Sequence, residues 1–329
     1  MSKDIWVHIE HIEGKIANVS LELLSEAHRL QAQRPTPGKV VAVLIGSQVE
    51  PLIQTLEEYG AEQIYVADKE NLELYQPQYY ANIYEKLIKE KDPDILLVGS
   101  TAIGSQLAPT IALKVKTGVA AHSIELRMSE KDQLVSVVPA FGGKVLGDIL
   151  CPNHRPQMAS IKAGILDKPE KKQVKAEVLN VDLSFLDEVK TDLIPLNIKR
   201  EEPKGVPLEE AEIVICGGWG IGDQETWELL NKIAEKLGGA VASTRPPVDE
   251  GWAPGEHIMI GTSGKSVRPK VYLGFGISGA THHVCGMKDA GVIININKDE
   301  NAEIFNVSDF GAVGDVKKIL PLLEDALQS

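Results

Sequence analysis

The C-terminal third of the chain carries a glycine pattern that suits the binding of a dinucleotide. The segment GFGISGATHHVCGMKDAG, residues 274–291, contains G-x-G-x-x-G at Gly274, Gly276 and Gly279. Glycines at this spacing let a strand turn tightly into a helix, so that backbone N–H groups approach a pyrophosphate. Asp299 lies 20 residues after the last of these glycines, where a ribose-binding carboxylate would stand. The pattern alone also fits a turn without a ligand, and only 50 residues follow it.

Three other groups of residues suit ligand chemistry. GTSGKS, residues 261–266, resembles the second half of a phosphate-binding loop, but Met259 replaces its first glycine, which disfavours a nucleotide triphosphatase. Arg245 follows an apolar run and precedes two prolines that stiffen its loop, at the usual ligand edge of an α/β sheet. His282 and His283 follow the glycines. Each group has an ordinary structural explanation as well.

Composition restricts the class of protein. The chain has 329 residues, of which 43% are hydrophobic and 25% charged, which is typical of globular proteins large enough for two domains. A formal net charge of −13 without a Lys/Arg-rich tract disfavours a general nucleic-acid binder. The three cysteines lie far apart and form no metal-ligand spacing, so we expect neither a disulfide framework nor a bound metal. We find no signal-peptide pattern and no apolar run of about 18 residues, and therefore expect a cytoplasmic protein without a membrane span.

The alternation of strand and helix patterns predicts an α/β fold with two domains, each a mainly parallel sheet flanked by helices. We place the first domain at residues 1–200 and the second at 201–329, with a linker at 199–210 that is rich in charge, proline and glycine. Segments 133–141 and 156–166 are expected to be late strands of the first sheet. In the second domain we predict a helix that begins after Asp223, a helix over about 278–289, and strands that include 257–261 and 303–308.

Several segments of the second domain together resemble one family, the α subunit of electron-transfer flavoproteins. The similarity rests on CGGWG, ASTRPPVDEGW, the continuous stretch from IGTSGKS to AEIF, and VSDFGAVGD, which cover essentially all of residues 213–315. The first domain agrees with the family only in length and in its βα alternation. The resemblance implies that the second domain is a Rossmann-like FAD-binding domain.

The resemblance also implies a function. The family's α subunit holds FAD in a crevice shared with a β subunit and passes electrons between dehydrogenases, such as acyl-CoA dehydrogenase, and other redox partners. It is an electron carrier without substrate chemistry of its own. Whether the complex bifurcates electrons with NADH and ferredoxin stays open. The positions that match the family's cofactor contacts are Thr244, Arg245, Gly261, Thr262, Ser263, Gly264, Ser278, Gly279, Ala280, His283, Asn297 and Asp315.

The resemblance gives these positions different parts of the cofactor. Arg245 is expected beside the isoalloxazine, where its charge stabilises the reduced flavin, and His283 is expected to hydrogen-bond the pyrimidine end of that ring. Thr262 and Ser263 match positions near the N5 and O4 edge. Residues 278–280 match pyrophosphate and ribityl contacts. The adenosine end is matched by Asn297 and Asp315.

The chain departs from the family pattern at three positions. Trp219 stands where the family usually has arginine, and Thr262 and His282 stand where glutamine is common. A second histidine near the flavin makes a pH-dependent reduction potential our hypothesis. Two alternatives to the electron carrier remain open: an NAD-dependent oxidoreductase, which the glycine pattern favours and its late position disfavours, and a non-redox module that binds adenine nucleotides.

Overall fold

The structure is a computed structural model, and its contacts divide the chain into two units. It describes residues 2–140, 145–167, 169–191, 193, 195–196, 206–209 and 211–327. The first unit comprises Met1–Pro139 and Leu146–Arg200, and the second comprises Ala140–Val145 and Glu201–Ser329. Of the linker predicted over 199–210, all but residues 206–209 lies outside the described residues.

A seven-stranded sheet forms the centre of the first unit. Residues up to 200 contain the strands β1 (Ile5–Ile9), β2 (His11–Ile12), β3 (Lys15–Ile16), β4 (Val40–Gly46), β5 (Gln63–Asp68), β6 (Ile95–Gly99), β7 (Val119–Ser123), β8 (Glu125–Met128), β9 (Leu134–Ala140), β10 (Val145–Ile149), β11 (Gln157–Ile161) and β12 (Glu177–Asn180). The sheet has the order β12-β5-β4-β1-β6-β11-β7 with parallel pairing throughout. Strands β8, β9 and β10 form a separate three-stranded sheet, in which β8 and β9 are antiparallel.

Helices cover both faces of this seven-stranded sheet. They are α1 (Asn18–Ala32), α2 (Ile53–Glu58), α3 (Pro77–Lys91) and α4 (Ala102–Val115). Leu24 of α1 and Leu56 of α2 pack on one face, while Tyr84 of α3 and Leu107 of α4 pack on the other. Strands β1, β4, β6 and β11 are buried along their whole length, which explains their nearly continuous apolar sequences.

A five-stranded parallel sheet forms the centre of the second unit. Its strands are β13 (Ile213–Gly217), β14 (Ala240–Ser243), β15 (Val271–Phe275), β16 (Val292–Asn297) and β17 (Phe310–Val313), in the order β14-β13-β15-β16-β17. The chain leaves β13 first toward β14 and then resumes on the other side at β15. This reversal makes the carboxyl end of β13 a topological switch point, where α/β sheets usually bind ligands.

Among the residues that the structure describes, the α-helices α5 (Gln224–Lys236), α6 (Arg245–Asp249), α7 (Thr281–Val284) and α8 (Val316–Ala326) accompany the second sheet. Asp223 caps α5 by accepting a hydrogen bond from the backbone N–H of Thr226 at 2.8 Å, as the sequence predicts. Trp227 of α5 and Leu320 of α8 are buried on one face of the sheet, and Tyr272 of β15 lies in the core of the other face.

The predicted α/β class is confirmed, since both principal sheets are parallel and flanked by helices. Some element predictions were wrong. Residues 303–307 form a 3-10 turn and the strand follows at Phe310–Val313; the predicted strand at 257–261 begins with another 3-10 turn, Glu256–Ile258. Helix α7 covers four residues instead of about 278–289. Two residues beyond its end, the carbonyl of Gly286 accepts the N–H of Val267, so the backbone there bonds to a neighbouring loop.

Candidate functional site

A cavity of about 1490 Å³ lies along the carboxyl edge of the second sheet. Residues that follow each of the five strands line it, as expected for ligand sites of α/β sheets. This volume exceeds the range of about 300–1,000 Å³ of ordinary small-molecule pockets, so an extended dinucleotide has room. The wall consists of Trp219, Gly220, Gly222, Thr244, Arg245, Pro246, Glu250, Trp252, Met259, Ile260, Gly261, Thr262, Ser263, Gly276, Ile277, Ser278, Ala280, His282, His283, Asn297, Lys298, Asp299, Asn301, Ala302, Glu303, Asp315 and Lys317.

The structure brings nearly all the predicted site residues to this wall. Gly264 and Gly279 are the exceptions. A Cβ on Gly279 would lie 2.1 Å from the backbone nitrogen of Ile304, and its φ of +93° also favours glycine. A Cβ on Gly264 would lie 2.2 Å from the carbonyl oxygen of Met259. Both glycines therefore let backbone segments pack against each other next to the cavity.

Two glycine-containing loops pack against each other in the middle of the wall. Gly218 donates its N–H to the carbonyl of Phe275 at 2.8 Å, and Gly220 donates to that of Gly276 at 2.9 Å. A Cβ on Gly218 would lie 2.3 Å from the carbonyl oxygen of Gly276. The glycine pattern of the sequence thus serves close backbone packing between the ends of β13 and β15, which fixes the floor on which a ligand would lie.

Arg245 supplies a positive charge to the wall. It begins α6 directly after Thr244 and is followed by Pro246 and Pro247, whose fixed φ suits the first helical turn. Its side chain is 65% exposed, and its Nε lies 3.2 Å from Asp249 Oδ2. An exposed ion pair of this kind contributes little to stability. The guanidinium can therefore turn toward an anionic or electron-rich group in the cavity at small cost.

His283 is buried, and both of its ring nitrogens have protein partners. Nδ1 lies 3.1 Å from the carbonyl oxygen of Ile260, and Nε2 lies 2.7 Å from the hydroxyl of Tyr272. Because a carbonyl only accepts, Nδ1 carries the proton and Nε2 accepts from the tyrosine. Burial lowers the pKa of His283 to about 4, so the ring is neutral near pH 7. The family resemblance implies a hydrogen bond from this ring to the flavin. To form it, the ring must give up its hydrogen bond with either Tyr272 or Ile260.

His282, the neighbouring histidine, is exposed and contacts the loop after Met259. Its Nδ1 lies 3.1 Å from the hydroxyl of Thr262, and its carbonyl accepts the N–H of Thr262 at 2.8 Å. These are two of the three positions at which the chain departs from the family pattern. Thr262 and His282, which stand where the family commonly has glutamine, thus contact each other on the cavity wall. Their spacing in the sequence did not indicate this contact.

Asn297 and Asp315 hold the loops at the far end of the cavity. Asn297 donates from its side chain to the carbonyl of Ile277 at 2.7 Å and accepts the N–H of Asp299 at 3.0 Å. Asp315 caps α8 by accepting the N–H of Lys317 at 3.0 Å. Both predicted residues line the cavity, and both also have these structural hydrogen bonds.

Sequence reasoning missed several wall residues, above all Lys317 and Trp219. Lys317 pairs with Asp223, and this hydrogen bond to the ammonium group lowers the pKa of the Asp223 carboxyl. A signal for Trp219 was available, because it was identified as a departure from the family. Within the described ranges, no cluster of three or more His, Cys, Asp or Glu side chains could hold a metal ion, and no helix could span a membrane.

Two family models match the chain. One lies in the range that forms the first sheet, and the other lies in the range that forms the second sheet. The electron transfer flavoprotein domain matches residues 5–186, and the electron transfer flavoprotein FAD-binding domain matches residues 207–288. The second match includes most of the cavity wall, from Trp219 to His283.

Curated relatives match along the whole chain. The electron transfer flavoprotein subunit alpha of Thermoanaerobacterium thermosaccharolyticum is 38% identical over 328 residues, which cover 99% of this chain and 98% of that protein. The acryloyl-CoA reductase electron transfer subunit beta of Anaerotignum propionicum is 36% identical and covers 99% and 96%. The lactate dehydrogenase (NAD(+),ferredoxin) subunit LctC of Acetobacterium woodii is 36% identical and covers 98% and 76%. With matches of this extent and identity, the chain belongs to the electron transfer flavoprotein alpha subunit family.

Proposed function

We propose that this chain is the FAD-binding half of a heterodimeric electron carrier, with the FAD held in the cavity of the second unit. The observation that supports this most is the agreement between the FAD-binding match and the cavity. Residues 207–288 match the family's FAD-binding domain, and this range supplies most of a wall with room for a dinucleotide. Bound FAD would accept electrons from one partner and release them to another.

Each predicted residue has a role in this proposal. Arg245 supplies the positive charge that favours the reduced isoalloxazine. Thr262 and Ser263, both exposed on the wall, offer hydroxyl groups to the ring edge. Ser278 and Ala280 are exposed at the turn after β15, where backbone and hydroxyl donors suit the pyrophosphate.

The remaining predicted residues are assigned to the adenosine end of the FAD or to backbone packing at the wall. We assign Asn297 and Asp315 to the adenosine end, and Gly261 provides backbone that a side chain would displace: a Cβ there would lie 2.5 Å from the carbonyl oxygen of His282. Gly264 and Gly279 contribute through the backbone packing described above. His283 supports the loop that carries Thr262.

The partners follow from the family. We propose that the chain pairs with an electron transfer flavoprotein beta subunit and exchanges electrons with an acyl-CoA dehydrogenase or a similar dehydrogenase. One relative is named for an acryloyl-CoA reductase and another for a lactate dehydrogenase that uses NAD(+) and ferredoxin. These names support membership of this chain in a larger oxidoreductase complex. Electron bifurcation toward ferredoxin is our second candidate function. The chain itself would carry electrons without catalysing a substrate reaction, and we propose that it works in the cytoplasm.

The proposal is tested by the cofactor that purifies with the chain. We expect the chain, co-expressed with its beta subunit, to be yellow, and denaturation to release FAD that chromatography identifies. The variant Ala280→Phe fills the cavity and should lower the FAD content. Ala312→Phe is the matched control, since Ala312 is exposed on β17 and does not line the cavity. A colourless chain that does not bind added FAD, or one that releases NAD, would refute the proposal.

A further inference from the structure

Lys317 places an ammonium group on the cavity wall at the start of α8. Its side chain is 48% exposed, and its Nζ forms an ion pair with Asp223, whose side chain is 44% exposed. Asp223 is not part of the cavity wall, whereas Lys317 is. The lysine therefore connects a carboxylate outside the wall with the space that a ligand would fill.

The ion pair between Lys317 and Asp223 can be exchanged at small cost. Ion pairs between side chains this exposed contribute little to stability, because water screens them. Asp223 also has a second role, since its Oδ1 accepts the N–H of Thr226 and caps α5, while Oδ2 pairs with the lysine. The cap can remain when the ammonium group leaves Oδ2. The flexible lysine side chain is then free to turn toward an anion in the cavity.

Hydrogen bonds place the start of α8 beside the turn that we assigned to the pyrophosphate. Gly314 donates its N–H to the carbonyl of Asn297 at 3.0 Å, and Asn297 donates from its side chain to the carbonyl of Ile277 at 2.7 Å. Ile277 directly precedes Ser278, and Lys317 follows Gly314 by three residues. The lysine therefore stands close to this turn.

The turn after β13 connects Lys317 to the same part of the wall. A Cβ on Gly222 would lie 3.1 Å from Cε of Lys317 and 3.3 Å from its Nζ, so the lysine side chain lies along this turn. In the same turn, Gly220 donates its N–H to the carbonyl of Gly276, directly after β15. The ammonium group is thus next to the floor that these two glycine-containing loops form.

We propose that Lys317 binds the pyrophosphate of the bound FAD and releases Asp223 to do so. This inference rests on the proposed function, because it assumes that the cavity holds FAD with its pyrophosphate at residues 278–280. The pyrophosphate is dianionic, and an ammonium group is a compact cation that donates strong hydrogen bonds to phosphate oxygens. Backbone N–H groups at the turn supply hydrogen bonds, and Lys317 adds a full positive charge.

The experiment measures the Kd for FAD in the complete complex with the beta subunit, after the bound flavin has been removed. Lys317→Met removes the charge and should raise the Kd by about 5- to 15-fold, the range expected for one exposed hydrogen bond to a charged group. Lys317→Arg keeps the charge and should restore most of the affinity. Lys318→Met is the matched control with an unchanged Kd, since Lys318 is exposed on the same helix and does not line the cavity.

Asp223→Asn is expected to have the opposite effect. Asparagine still accepts the N–H of Thr226, so α5 keeps its cap, but it neither holds the ammonium group nor repels the pyrophosphate. The Kd for FAD should therefore fall by about 2- to 5-fold, the worth of an exposed ion pair. If the pair of Lys317 and Asp223 only stabilised the fold, neither variant would bind FAD more tightly.

ADP locates the contact, because it carries a pyrophosphate without the flavin. In competition with FAD, ADP should be weakened by Lys317→Met to a similar extent as FAD itself. If the wild-type complex binds no FAD, the proposed function fails and this contact fails with it. If FAD binds, the contact alone is overturned by an unchanged Kd in Lys317→Met, by an equal rise in Lys318→Met, by unchanged ADP binding, or by a Kd that does not fall in Asp223→Asn.

Discussion

Acidification is expected to destabilise the second unit through His283. The folded unit keeps this ring neutral, with Tyr272 donating to Nε2 and Nδ1 donating to the carbonyl of Ile260. A proton on Nε2 would place a charged imidazolium in a buried site, where desolvation disfavours it. The unfolded chain imposes no such constraint, so protonation favours unfolding.

The size of the effect follows from the two pKa values of His283. Burial lowers its pKa from 6.5 to about 4 in the folded unit. Above about pH 6.5 both states are neutral and the free energy of unfolding is unaffected. Between about pH 6.5 and pH 4 the unfolded state binds the extra proton, and stability falls by about 1.4 kcal/mol for each pH unit, reaching a loss of about 3 kcal/mol. Below about pH 4 both states are protonated and this loss stays constant.

Urea unfolding at a series of pH values measures this loss. In a Trp6→Phe background the remaining tryptophans, Trp219, Trp227 and Trp252, all lie in the second unit, so their fluorescence reports on it. His283→Gln lacks a titrating ring, and the difference between its pH slope and that of the parent isolates the histidine from all carboxyl groups. His257→Gln is the control, since His257 is an exposed histidine of the same unit.

The result that would refute this prediction concerns how the free energy of unfolding depends on pH, not a difference in stability at one pH. His283→Gln is expected to be less stable at pH 7, because the Tyr272 hydroxyl and the Ile260 carbonyl lose their partners at a cost of about 1–3 kcal/mol. If His283→Gln nevertheless loses as much stability as its parent between about pH 6.5 and pH 4, the ring is not held neutral and the hydrogen-bond assignment is wrong.

Three further predictions address the site and its supports. Arg245→Ala should lower the flavin reduction potential by tens of millivolts while Arg245→Lys preserves most of it, because a surface charge interaction of about 1 kcal/mol corresponds to about 40 mV for one electron; equal potentials in a redox titration would make the arginine purely structural. His282→Gln should shift that potential, because His282 lines the cavity and contacts Thr262, and an unchanged potential would exclude a role for the exposed histidine. Asp223→Ala should destabilise the second unit by about 0.5–2 kcal/mol in urea, since α5 loses its cap, whereas Asp223→Asn should restore most of the loss.

The architecture was predictable because parallel strands and their helices have strong sequence patterns. Continuous apolar runs such as Val40–Gly46 and Ile95–Gly99 are buried on both faces, and their alternation with helices indicates an α/β sheet. Helix α4 was not predicted, because Gly104 and Pro109 weaken its pattern. The structure shows why it forms: Gly104 fits against the carbonyl of Gly99, which a Cβ there would approach to 1.8 Å. This packing is a tertiary contact, and it leaves no periodic pattern in the sequence.

The short turns near the site were less predictable for a similar reason. Ile304 lies in an apolar stretch that resembles a strand, but its N–H donates to the carbonyl of Ser278 and its side chain is buried. One buried residue in a 3-10 turn gives the same local sequence pattern as a short strand. The side-chain roles also needed coordinates, since no spacing indicates that Tyr272 occupies a nitrogen of His283 or that Thr262 contacts His282.

Two of the three positions that distinguish this chain from its family pattern lie together on the cavity wall. Thr262 and His282 contact each other, at the side of the cavity that we assign to the isoalloxazine. Asn297, which we assign to the adenosine end, keeps the residue that matches the family. Because binding of the adenosine half anchors a dinucleotide without altering its redox chemistry, changes at the opposite end affect the environment of the isoalloxazine. The differences at Thr262 and His282 are therefore expected to alter the reduction potential of the flavin more than they alter the retention of FAD.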